Sequence, residues 1–103
     1  MDDMVKRKLM SLIDKLIEAK LLKDENFLRF SFYEVRVKGE VKSEEENAFL
    51  ELAKTKLNNM RYTVYLQNQE FIYNEARMRV QPNELLIAIK EKYINLIYIK
   101  EQF

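Results

Sequence analysis

The chain has no cysteine and no histidine, and only one glycine and one proline in 103 residues. Without cysteine there is no disulfide framework, no thiol nucleophile and no thiolate metal site. Without histidine the usual general base at neutral pH, the commonest metal ligand and every Ser-His or Cys-His dyad are missing. A single glycine cannot build GxGxxG or GxxxxGK, so the standard phosphate-cradling loops are absent. These gaps argue against zinc chemistry and against an ordinary nucleotide-dependent enzyme. No catalytic residue, metal or cofactor is expected.

What remains is the composition of a folded domain: 48% hydrophobic and 34% charged residues, unlike the low-hydrophobicity signature of disorder. The length suits a single α+β domain over residues 1–103. Formal charge is +1, with 12 basic and 12 acidic side chains in residues 1–60 and 6 and 5 in the remainder. Global charge therefore gives no sign of a nucleic-acid or anionic-membrane partner. The first stretch, MDDMVKRKLMSLIDKLIEAK, is too charged for the apolar core of a secretory signal, and a cytoplasmic setting is expected.

Over residues 4–22, Val5, Leu9, Leu12, Ile13, Leu16 and Ile17 recur at helical spacing, which predicts an amphipathic helix. Asp2 and Asp3 suit its N-terminus. FLRFSFYEVRVK, residues 27–38, has strand composition, but its apolar positions change from even (Leu28, Phe30, Phe32) to odd (Tyr33, Val35, Val37). The expectation is a long, bent central strand with a bulge near Phe32 and Tyr33. Gly39 then supplies a turn or break. Ser43 and Glu46 have capping-box spacing before a second helix, whose buried stripe is Phe49, Ala53, Leu57 and Met60. Asn58-Asn59 suits its left-handed terminus. RYTVYL and FIYNEARMRV follow as strands with a hairpin turn at NEA.

Residues 86–101 read LIAIKEKYINLIYIKE, in which Leu86–Glu91 is echoed ten residues later. A membrane span needs about 20 predominantly apolar residues, and Lys90-Glu91-Lys92 interrupts the run. One helix would carry the two copies about 80° out of phase. Two strands joined through EKY avoid that mismatch and are favoured over the helix, whose short apolar runs are otherwise compatible with it. The expected order is α-β-α-β-β-β(-β). This gives a largely antiparallel sheet with two amphipathic helices packed on one face.

Glu40-Val41-Lys42 resembles the (D/E)xK element of PD-(D/E)xK nucleases, where a strand carries the acid and a helix follows. The resemblance implies Mg²⁺ on Glu40 and a charge-stabilising Lys42, but the second acid at a strand start is missing. RFSFYEV resembles the aromatic strand of RNA-recognition motifs, which would place Phe30 and Phe32 on bases. The expected glycine and partner strand are absent, and a core role for both rings is favoured. SEEEN is accounted for by helix capping, since consecutive helical positions point about 100° apart.

A better binding surface comes from alternation. Glu34, Arg36 and Lys38 would share one strand face, and Arg77 and Arg79 another, opposite Met78 and Val80. On neighbouring strands these four cations would converge on an anion or acidic partner, against the plainer reading of a solvated sheet face. Tyr62, Tyr65, Tyr73, Tyr93 and Tyr98 lie in the strand-rich half, and Tyr93 and Tyr98 join the candidate contact residues. The leading expectation is a small non-enzymatic binding protein, a regulator, inhibitor or assembly component. It would act through an unidentified protein partner or a homodimer, with a C-terminal sheet edge open to strand pairing. A nucleic-acid-binding domain using the basic strand face is the second expectation, and a membrane partner is not expected.

Overall fold

The first helical stripe forms as its spacing requires. In the computed structural model, which describes residues 2–91, α1 spans Asp3–Leu21 and buries Leu9, Ile13 and Ile17. The Asp2 carboxylate caps it by accepting the Met4 N–H at 2.8 Å. β1 follows at Phe27–Ser31, and α2 at Glu46–Asn59 buries Phe49, Ala53 and Leu57. β2 (Tyr62–Leu66), β3 (Glu70–Tyr73), β4 (Ala76–Arg79) and β5 (Glu84–Lys90) complete the order α-β-α-β-β-β-β.

The strands form a three-stranded antiparallel sheet ordered β1-β5-β2 and a separate β3-β4 hairpin. Both helices pack on one face, against Leu28, Phe30, Tyr62, Leu86 and Ala88. The hairpin covers the other face, where Phe71 and Val80 meet Ile87 and Ile89, with Phe27 and Tyr65 packed around them. This double cover explains the unbroken apolar run of β5, since a strand buried on both sides has no polar face to alternate with. A bulge adds to it. Pairing passes from Phe30↔Leu86 to Ser31↔Glu84, and the extra residue Leu85 joins the helix-side core.

The expected long strand over residues 27–38 does not form. β1 stops at Ser31, and Tyr33–Lys38 is a π-helical segment. Ser31 and Glu34 make a reciprocal capping box: Ser31 Oγ accepts the Glu34 N–H at 3.1 Å, and the Glu34 carboxylate accepts the Ser31 N–H at 3.0 Å. The change of phase at Phe32 is therefore a passage from strand to helix, and β1 is an edge strand while β5 is central.

The box expected at Ser43 and Glu46 lies elsewhere too. A 3-10 turn over Ser43–Glu45 precedes α2, and Glu45 accepts the Lys42 N–H at 3.0 Å. Ser43 Oγ instead accepts from Arg36, whose Nε pairs with Glu46. After α2 the left-handed residue is Arg61, with φ 70°, in place of Asn58 or Asn59. The NEA hairpin forms as expected, with Asn74 and Glu75 at φ 52° and 67°, the signature of a type I′ turn.

Residues 86–90 are strand, but β5 pairs with β1 on one side and β2 on the other. The C-terminal run therefore offers no open edge over Glu84–Lys90. Its expected second strand, residues 94–100, lies outside the described residues. Among the described residues no helix is long and apolar enough to cross a membrane.

Candidate anion-binding cleft

β4 alternates as its sequence suggests, with Val80 beyond it buried, Met78 half-buried and Arg77 and Arg79 exposed. The two-residue turn sets the hairpin register, which places Glu70 opposite Arg79 and Ile72 opposite Arg77. Arg29 comes from β1. Because Leu28 and Phe30 point to the helices, Arg29 points to the hairpin side of the sheet. Glu84 starts β5 beside it.

These elements enclose a cleft of about 420 Å³, lined by Arg29, Arg77 and Arg79 with Glu70, Glu84, Met78 and Gln81. Glu84 is the one buried charged residue among those described, at 6% exposure. Its carboxylate lies 3.6 Å from Arg29 Nε and accepts the Gln81 N–H at 3.1 Å. Glu70 is paired with Arg79. That hydrogen bond and the Arg79 charge hold the Glu70 carboxyl below its ordinary pKa, with a smaller contribution from Arg77. Arg77 has no ion-pair partner of its own among the described residues. Three guanidinium groups against two carboxylates leave one positive charge uncompensated, in a concave setting that favours an anion.

Of the four cations expected to converge, Arg77 and Arg79 do so and Arg36 and Lys38 do not line this cleft. The reason is the π-helical segment. Arg36 is turned to the start of α2, 2.6 Å from Glu46 and 2.8 Å from Ser43 Oγ. Lys38 lies with its ammonium 5.8 Å from the centre of the Tyr33 ring. Tyr93 and Tyr98 lie outside the described residues. Tyr62 is buried, with its hydroxyl donating to the Glu25 carbonyl. Tyr65 stacks on Phe71 with ring centres 4.7 Å apart.

Phe30 is fully buried and Phe32 packs against the same core, so neither ring offers the open stacking face of an RNA-recognition strand. Glu40 follows the π-helical segment rather than a strand, at φ 55°, and its carbonyl accepts from Lys8 Nζ at 3.0 Å. Among the described residues no group of three acidic side chains is placed to hold a metal. Arg29, Glu70 and Glu84 were not anticipated. Alternation about Leu28 and Phe30 already puts Arg29 on the second face, and counting back from Asn74-Glu75 pairs Glu70 with Arg79. Only the meeting of Arg29 with β4 needs the folded chain.

Compared with known proteins, the chain matches no family model, no curated protein and no solved structure.

Proposed function

We propose that this protein is a small non-enzymatic binding protein, a cytoplasmic regulator, inhibitor or assembly component, that holds an acidic part of a protein partner in the arginine cleft. One observation carries the reading: Arg29 from the sheet and Arg77 and Arg79 from the hairpin line a single cleft, and Arg77 has no ion pair of its own among the described residues. Guanidinium forks match carboxylates in pairs of hydrogen bonds, which suits an acidic side chain entering from solvent. The nucleic-acid reading has less support, because Arg36 is engaged with Glu46 and Phe30 is buried.

The test is a fluorescence anisotropy titration of the full chain with a labelled glutamate-rich peptide, with single-stranded RNA and duplex DNA of equal charge alongside. Peptide binding that weakens with salt and falls about tenfold or more in Arg77→Ala supports the reading, as expected for a lost charge-assisted contact. Equal binding by Arg77→Ala and the parent contradicts it. Tighter binding of either nucleic acid would transfer the cleft to the second reading.

A further inference from the structure

The phase of the β1–β5 ladder leaves one strand edge open. Lys90 donates its N–H to the Asn26 carbonyl at 3.0 Å, which makes Asn26, Leu28 and Phe30 the residues whose backbone faces β5. Phe27 and Arg29 therefore direct their N–H and C=O groups away from the sheet. Among the described residues none of these four groups has a partner. The open stretch is short. Glu34 takes the Ser31 N–H at 3.0 Å and the Asn83 carbonyl takes the Phe32 N–H at 3.0 Å, so the edge closes after Arg29.

Cations stand on both faces of this edge. On the hairpin side Arg29 is held over the Phe27 ring, its Cζ 5.1 Å from the ring centre, and leads into the arginine cleft. On the helix side a depression of about 210 Å³ is lined by Lys20, Lys23 and Asp24 together with Phe27, Leu28 and Arg29. Lys20 is engaged with Glu34 at 2.6 Å, whereas Lys23 has no ion pair among the described residues. Arg29 lines both depressions. They flank the unpaired backbone, with Lys23 on the helix side and Arg77 on the hairpin side as cations without an ion pair among the described residues.

We infer that the β1 edge is a strand-addition site that receives an extended acidic segment of a protein partner. The inference rests on the proposed function and adds the mode of recognition. The N–H and C=O groups of Phe27 and Arg29 pair with the backbone of the incoming segment, which supplies affinity independent of its side chains. Cations on both faces then select acidic side chains at both odd and even positions of that segment. A nucleic acid has no backbone donors in this register, so the edge discriminates for peptide.

The probe is a ten-residue peptide of glutamate and threonine with glutamates on both strand faces. It is compared with the same peptide N-methylated on one alternating set of residues and with the peptide N-methylated at every residue. N-methylation keeps the charge; the first variant retains one donor edge and the second retains none. Strand addition predicts that the fully methylated peptide loses at least tenfold in affinity, while the peptide that keeps one donor edge loses less. It also predicts that the Phe27 and Arg29 amide hydrogens exchange more slowly when the unmodified peptide is bound. Equal binding of all three peptides overturns strand addition and leaves the acidic-partner reading standing. Failure of all three to bind overturns both. Protection of Phe27 and Arg29 without peptide, with a dimer mass by light scattering, assigns the edge to a second copy of the chain and overturns the proposed occupant.

Discussion

Arg29 Nε lies 3.6 Å from the carboxylate of Glu84, so a cation on the edge strand answers the buried acid at the start of the central strand. The pair joins two elements that the sequence separates by more than fifty positions, and it restrains one of the three arginines of the cleft. Glu84→Gln keeps an oxygen to accept the Gln81 N–H and removes the competing charge. Its expected effect is tighter binding of an acidic peptide by about twofold to fivefold, the scale of a partly exposed ion pair. Unchanged or weaker binding in the same titration would show that Glu84 does not compete for Arg29.

Arg79 and Arg77 are expected to differ. Arg79 already pairs with Glu70, so Arg79→Ala leaves that carboxylate free to repel an acidic ligand as well as removing a donor. The double substitution Glu70→Gln with Arg79→Ala removes both charges. Acidic-peptide affinity should be lowest in Arg79→Ala and partly restored in the double variant, by isothermal titration. No restoration would mean that Glu70 does not face the ligand.

Gly39 is required for space. Its φ is −84°, which any residue adopts, but an added Cβ would stand 2.5 Å from Leu12 Cδ2 and 2.8 Å from the Val35 carbonyl. Gly39→Ala should destabilise the fold by about 1–3 kcal/mol in urea unfolding, the range for an overpacked core. A change within error would mean that both Leu12 and the Val35 carbonyl move aside freely.

Glu34 ties α1 to the end of β1. Burial raises its pKa, but the Lys20 ammonium at 2.6 Å and the Ser31 N–H and hydroxyl together bring it below its ordinary value of 4.5. A depressed folded-state pKa means stability that is present above 4.5 and lost as pH falls through the folded value. Glu34→Gln should therefore be less stable than the parent by about 1–2 kcal/mol at neutral pH, on the scale of charge-assisted hydrogen bonds. The gap should narrow as the pH falls below 4.5 and the carboxyl takes up its proton. A gap independent of pH would remove Glu34 from the acid response.

The same residue shows what the sequence could and could not disclose. Both amphipathic helices, the hairpin and the strand character of residues 86–90 follow from periodicity and turn chemistry. Two capping-box spacings are present, Ser31–Glu34 and Ser43–Glu46, and the reciprocal bonds form at the first. Aromatic and β-branched residues from Phe30 to Val37 have strand propensity, which hid the cap. Tertiary contacts decide the matter, since Val35 is buried in the helix-side core and Glu34 reaches Lys20 on α1. The cleft was legible in half. Arg77 and Arg79 share a face by alternation, whereas Arg29 joins them only because the hairpin folds across the sheet.

The most direct test of the arginine cleft is a two-dimensional NMR titration that follows arginine Nε–Hε signals of the full chain as the glutamate-rich peptide is added. The account predicts that Arg29, Arg77 and Arg79 shift together with one dissociation constant, while Arg36, engaged with Glu46, stays in place. Shifts centred on Arg36, or a bound peptide that leaves Arg77 unmoved, would contradict it.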